Sequence, residues 1–169
     1  MNEPKDAIEI ERKFLLKRMP SLQPDSSIVI KQYYYEMANG ERGRIRESFS
    51  DVDGIYFTHT VKQFISKGQS REIEYPLTVE EFEQIIAQNK GNNTFKFIHK
   101  TRYIYKAGDL KWEVDDFSVM GWQLIIAEIE LPILEHKLFI PDYIKENMLL
   151  EVTDLQQFSN KNMAESLPN

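Results

Sequence analysis

A chain of 169 residues, 41 % of them hydrophobic and with a formal charge of −6, has the length and apolar content of one domain, 1–169, with a full core. Its acidity argues against nucleic acid or an anionic membrane surface as partner. There is no cysteine, which excludes disulfides, zinc–thiolate sites and thiol catalysis, and no membrane-length apolar run or apolar leader near Met1, so a cytoplasmic protein is expected.

Residues 1–6 are polar and expected to fray. The first strand is expected at 7–17. Side chains alternate across a strand, so Glu9, Glu11 and Lys13 share one face, and Ile8, Ile10 and Phe14 share the other. Met19-Pro20 ends it. Residues 21–27 read as a loop or short helix, and the aromatic run 28–37 as a second strand. Asn39-Gly40 turns into a third strand, 42–48, with Arg44 and Arg46 on one side. Asp53-Gly54 leads into a fourth, 55–65, with Thr60 and Lys62 in step. Lys67-Gly68 leads into a fifth, 71–77, with Glu72 and Glu74. Thr78-Val79-Glu80-Glu81 is a capping box, and behind it Phe82, Ile85 and Ile86 give one apolar helix face that ends near Asn89-Lys90-Gly91. The sixth strand, 95–106, carries Lys100 and Arg102. Gly108-Asp109 turns into the seventh, 110–117, with Glu113 and Asp115. The eighth, 122–131, carries Glu128 and Glu130 and is closed by Pro132. A short helix is expected within 140–148, and a terminal helix over 155–166 polar enough to lie on the surface.

Eight strands joined mainly by hairpins, with a few helices, predict a mainly β (α+β) antiparallel fold rather than a parallel one. Two arrangements fit the charges. One is an open sheet with a solvated face laced by ion pairs. The other is a closed eight-stranded barrel, a tunnel with a charged interior and peripheral helices over its apolar outer faces. The second is favoured because like charges are segregated by strand, and carboxylates about 7 Å apart along a strand repel unless a cation lies between them. In such a tunnel the arginines and lysines would hold a polyanion. The carboxylates would hold a divalent metal on the same anion. Oxygen donors, with only His59, His99 and His136 as scattered histidines, point to Mg²⁺ or Mn²⁺ rather than zinc.

The ordered set resembles the CYTH superfamily, the triphosphate tunnel metalloenzymes. Glu9-Ile10-Glu11-Arg12-Lys13 is similar to the family's N-terminal E-x-E-x-K signature. Arg44-Ile45-Arg46, Thr60-Val61-Lys62, Lys100-Thr101-Arg102, Trp112-Glu113-Val114-Asp115, Ala127-Glu128-Ile129-Glu130 and Glu151-Val152-Thr153 follow in family order. The resemblance implies an eight-stranded tunnel binding a triphosphate with divalent metal. It implies phosphate contacts from Arg44, Arg46, Lys62, Lys100 and Arg102, and metal carboxylates at Glu9, Glu11, Asp115, Glu128 and Glu130. The roles of Glu72, Glu74 and Glu113 stay open. In short tripolyphosphatase-like members the signature lysine and a tyrosine near the second strand activate water; Lys13 and Tyr34 match them. A lysine ringed by cations is expected to have a lowered ammonium pKa and to serve as a base near neutrality. The tail is expected to close one tunnel mouth, and an uncovered outer sheet face would suit a homodimer. The implied activity is hydrolysis of a triphosphate, most simply inorganic tripolyphosphate. A class IV-type adenylyl cyclase or a thiamine triphosphatase would share the same wall, and a non-catalytic polyphosphate- or nucleotide-binding module would share the cations without turnover.

Overall fold

The computed structural model of the chain describes residues 3–153 and 155–166. Met1 and Asn2, part of the segment expected to fray, lie outside these; Lys5 and Asp6 already belong to the first strand.

The polar–apolar alternation folds as β1 (Lys5–Leu16), β2 (Ser26–Glu36), β3 (Arg42–Ser50), β4 (Gly54–Ser66) and β5 (Gln69–Leu77), then α1 (Val79–Asn89), β6 (Lys96–Ala107), β7 (Leu110–Asp116) and β8 (Ile125–Glu130). After these come α2 (Asp142–Lys145), β9 (Met148–Glu151) and α3 (Asn160–Glu165), with single 3₁₀ turns at Ser118–Met120 and Gln156–Phe158. The strands run β5-β4-β3-β2-β6-β7-β8-β1, and pairing of β1 with β5 closes the ring. The result is a closed eight-stranded antiparallel barrel, with β9 added beside β1.

The closure rests on the length of β1. Lys5 to Ile10 pair with β5, and Glu11 to Leu16 pair with β8. Phe14 to Leu16 also pair with β9. Between β5 and β9 the edge of β1 is filled by the β4–β5 turn and the tail. The Glu11 N–H donates to the Gly68 carbonyl at 2.8 Å, and the Lys13 N–H donates to Thr153 Oγ1 at 3.0 Å. Gly68 has φ +65°, and a Cβ there would stand 2.7 Å from the Glu11 carbonyl oxygen. Only glycine fits that approach.

The apolar side chains go outside the barrel. Phe14, Leu16, Trp112, Val114, Ala127 and Ile129 face outward and pack under Leu131, Ile144 and the chain around them. On another side Phe82 of α1, fixed by its capping box, packs on Phe57 and Tyr33. A third cluster lies within the barrel at one end, where Tyr34, Ile98, Phe117 and Ile126 replace charges in the inward rows and meet Met163 and Ala164 of α3.

The structure corrects several expected boundaries. The eighth strand begins at Ile125 rather than 122, because Trp122 leaves the sheet to stack on Phe117. The helix within 140–148 is one turn, and the following residues pair as β9. The terminal helix breaks at Ser159, whose hydroxyl caps α3, and α3 is no surface helix: it buries Met163 and Ala164 in the barrel end. Its seat is fixed by Arg42, which donates to the Thr94 carbonyl and to Glu165.

Candidate active site

The inward rows bring together what the sequence scatters. Glu9, Glu11 and Lys13 come from β1, Arg44 and Arg46 from β3, Thr60 and Lys62 from β4, and Glu72 and Glu74 from β5. Arg102 comes from β6, Glu113 from β7, and Glu128 and Glu130 from β8. Two cavities open along this wall. The larger, about 690 Å³, opens beside the β6–β7 hairpin and is lined by eight carboxylates and eight cationic side chains. The smaller, about 280 Å³, opens beside the tail. Glu11, Lys13, Arg44, Lys62 and Asn160 line both, so the two reach one centre from different sides.

The register sets the ion pairs. Lys13 lies opposite Glu128 and one step along its own strand from Glu11; its ammonium stands 3.4 Å and 3.5 Å from them. Lys62 bridges Glu11 at 3.2 Å and Glu72 at 3.1 Å. Arg44 lies 3.7 Å from Glu72, and 3.1 Å from the Thr60 hydroxyl, to which it donates. Arg46 differs: it donates to the neutral Gln32 Oε1 at 3.1 Å, and among the described residues no ion pair holds it. Burial, Arg44 and Arg102 bring its guanidinium down to about 10. The Arg44 Nε and the Ser70 hydroxyl are buried without a hydrogen-bond partner among the described residues. Arg44 also has Glu74 at 3.8 Å, so the shortage of negative charge falls on Arg46.

Of the residues expected to form the site, Lys100 and Asp115 lie behind the wall. Both are fully buried, and neither lines a cavity. Asp115 accepts from Lys100 Nζ at 2.5 Å and from Arg102 at 2.7 and 2.8 Å. Burial opposes its charge, but Arg102 and Lys100 hold the carboxyl well below the usual carboxylate range. Arg102 also reaches Glu113 and Glu128, so Asp115 fixes a cation that faces the cavity.

The expected lowering of Lys13 is overturned. Burial disfavours its charged form, but Glu128 and Glu11 hold the ammonium above the ordinary lysine range. Its nearest neighbours are carboxylates, not cations. The lowered lysine is Lys100, brought to about 8 by burial against the pull of Asp115. Tyr34 is buried, accepts from Gln32 Nε2 at 3.1 Å and lines the tail-side cavity.

Around Glu9 the charge balance reverses. Burial and the carboxylates Glu72, Glu130 and Glu11, against the pull of Lys62, raise Glu9 to about 7. Glu11 and Glu130 are direct register partners. Among the described residues no three His, Cys, Asp or Glu side chains are already drawn together as a metal site. Lys62 and Lys13 stand between the acids instead. The donor chemistry nonetheless fits a hard divalent cation: all oxygens, crowded, with Glu9 raised by burial and by its carboxylate neighbours.

Glu72 and Glu74, whose inward register was left open, both face the cavity, while Arg71 turns outward to Asp6. Gln32 and Ser70 were not foreseen. Gln32 and Ser70 stand in the inward rows, a period-two signal too weak in uncharged residues to single them out.

Residues 7–167 match the family model of the CYTH domain. An inorganic triphosphatase of Acetivibrio thermocellus is 31 % identical over 159 residues, covering 94 % of each chain. The crystal structure of the inorganic triphosphatase NE1496 superposes with a TM-score of 0.60 at 25 % identity, over 95 % of this chain and 97 % of that one. A Bacillus halodurans protein proposed as an adenylate cyclase shares the fold, with a TM-score of 0.53 at 18 % identity over 78 % of this chain and 84 % of its own.

Proposed function

The chain belongs to the CYTH domain family, and from that membership and the charges of its tunnel we propose that it hydrolyses inorganic tripolyphosphate with the help of Mg²⁺ or Mn²⁺. The observation that carries this reading is the arginine wall of the cavity. Arg46 has a neutral partner and is depressed by two neighbouring arginines, and the Arg44 Nε lacks an acceptor. A cavity-lining cluster of that kind is stabilised by a multiply charged anion that supplies the missing acceptors.

In this reading Arg44, Arg46, Lys62 and Arg102 hold the phosphate oxygens, with Lys100 set behind as the residue that fixes Asp115. Glu9, Glu11 and Glu130 would hold the metal, joined by Glu128; Asp115 serves by orienting Arg102. A bound divalent ion supplies charge neutralisation on the phosphate oxygens. Water attacks the terminal phosphorus, one P–O bond forms, the bridging P–O bond breaks, the water's proton passes to a phosphate oxygen, and pyrophosphate and phosphate leave. The protein's part is positioning and preset charge. Lys13, held as an ammonium, places and polarises by charge, and Tyr34 orients the water beside it.

The test is phosphate release from tripolyphosphate, ATP and thiamine triphosphate, each with Mg²⁺, Mn²⁺ or EDTA. Metal-dependent phosphate from tripolyphosphate, with KM raised at least tenfold in Arg46→Ala, is the expected result. Pyrophosphate with cyclic AMP from ATP would make the chain a cyclase. Tight tripolyphosphate binding without product would make it a binding module.

A further inference from the structure

Behind the wall runs one short polar chain whose direction is fixed. Gln32 is fully buried, lines neither cavity, and stands opposite Arg46 in the pairing of β2 with β3. Arg46 donates to its Oε1 from Nη2 at 3.1 Å and from Nε at 3.3 Å. Its Nε2 donates to the Tyr34 hydroxyl at 3.1 Å, one step along the inward row of β2. A guanidinium has only donors, so the amide can turn only its oxygen to Arg46 and only its NH₂ to Tyr34. The phenol oxygen is thereby engaged as an acceptor. Its own proton meets no acceptor among the described residues. The side left to it is the tail-side cavity, which Lys13, Arg44 and Lys62 also line. Burial raises Tyr34 against the pull of Arg44, Arg46, Lys13 and Lys62, so the phenol keeps that proton.

We infer that Gln32 is a positioning residue of the hydrolysis: pinned by Arg46, it compels Tyr34 to meet the attacking water as a hydrogen-bond donor. This rests on the reading of the tunnel as a triphosphate hydrolase site. A phenol that donates to the water oxygen holds it in place and turns the water's protons toward the phosphate. The proton released as the new P–O bond forms passes to a phosphate oxygen, and Tyr34 ends the step with the proton it began with. Phosphoryl transfer asks for a placed nucleophile more than for a strong base. The direction is a property of the amide. A carboxylate in its place, of equal size, would accept from Arg46 and from the Tyr34 hydroxyl as well, and so draw the phenol proton back from the cavity.

The experiment is a double-mutant cycle with wild type, Gln32→Glu, Tyr34→Phe and the pair, run on whichever of tripolyphosphate, ATP and thiamine triphosphate turns over. Each single change is expected to lower kcat at least about tenfold. The pair should match Tyr34→Phe within about twofold, because without the hydroxyl the amide has nothing to direct. KM should follow a different rule. The new carboxylate neutralises Arg46, so Gln32→Glu should raise KM by the same factor with or without the Tyr34 hydroxyl. A merely structural role of Gln32 would lower kcat alike in both backgrounds. The inference is overturned if the pair is slower than Tyr34→Phe beyond that margin, or if either single variant keeps the wild-type kcat. If melting shows Gln32→Glu unfolded, Gln32→Met, close in volume and without a hydrogen bond, is read by the same kcat criterion. A wild type inactive on all three triphosphates sinks the triphosphatase reading and this inference with it. Multiplying losses in an active enzyme sink the inference alone.

Discussion

Asp115→Asn should be among the most damaging isosteric changes in this chain. The carboxylate is fully buried and accepts three charge-assisted hydrogen bonds, one from Lys100 and two from Arg102. Arg102 keeps Glu113 and Glu128, so its charge stays compensated. Among the described residues Lys100 keeps no carboxylate at ion-pair distance, and the new amide turns an NH₂ toward one of two donors. Breaking a buried pair by removing one partner costs about 3–5 kcal/mol. At this size that lowers the melting temperature by roughly 6–20 °C. The loss should also depend on pH. Burial already brings Lys100 to about 8, and without Asp115 it falls further. A lysine lowered in the folded state binds its proton better when unfolded, so stability rises with pH up to the unfolded value of about 10.4. The deficit should therefore shrink between pH 7 and pH 10. Urea titrations at both values would measure it, with Glu83→Gln on the exposed face of α1 as a control within about 0.5 kcal/mol. Asp115→Leu combined with Lys100→Met should cost at least about 2 kcal/mol less than the two changes summed. A single-variant loss under about 1 kcal/mol, or strict additivity, would refute the account of Asp115 as an anchor.

Glu9→Gln in EDTA should leave stability at pH 4.5 unchanged and raise it by about 1–3 kcal/mol at pH 8. Glu9 is raised from 4.5 to about 7, so its favourable contribution is full below 4.5 and lost as pH rises through 7; thermal melts at the two pH values check the sign. Lys13→Met should lower kcat about 10²–10³-fold with KM little changed. Because Lys13 is held above the ordinary lysine range, Lys13→Arg should retain both limbs of the pH–rate profile between pH 6 and 9, and loss of a limb would restore the base role. Gly68→Ala, strained at φ +65° and pressed on the Glu11 carbonyl, should cost about 2–3 kcal/mol and lower activity, read by melting and by phosphate release together.

The barrel was legible because charge alternates at period two in almost every strand, and hairpin turns fix which strands adjoin. What lay beyond the sequence was register. That Lys13 faces Glu128 and not an arginine is set by the pairing of β1 with β8, and together with Glu11 on its own strand this reversed the expected direction of its pKa. Lys100 and Arg102 look equivalent on β6, yet closure leaves one sealed against Asp115 and the other facing the cavity. β9 escaped because four residues carry no turn signal and pair only with the end of β1. α3 looked like a surface helix because a six-residue element shows too little period for Met163 and Ala164 to mark a buried side.

The junction of β1 with β8 also governs the order in which the protein can be made. Glu11 and its partner Glu130 are 119 positions apart (130 minus 11). At about 5–20 residues per second, a ribosome takes roughly 6–24 s to supply the second after the first. During that wait β1 has no partner on its β8 edge, and its β5 partner arrives only at Gln69. Unpaired strands invite wrong partners, and charges along them are the common safeguard. Here Lys5, Asp6, Glu9, Glu11, Arg12 and Lys13 fill that role. The residues proposed to grip metal and substrate in the finished tunnel thus first serve as chaperones of their own strand, and activity can begin only when the last barrel strand is in place.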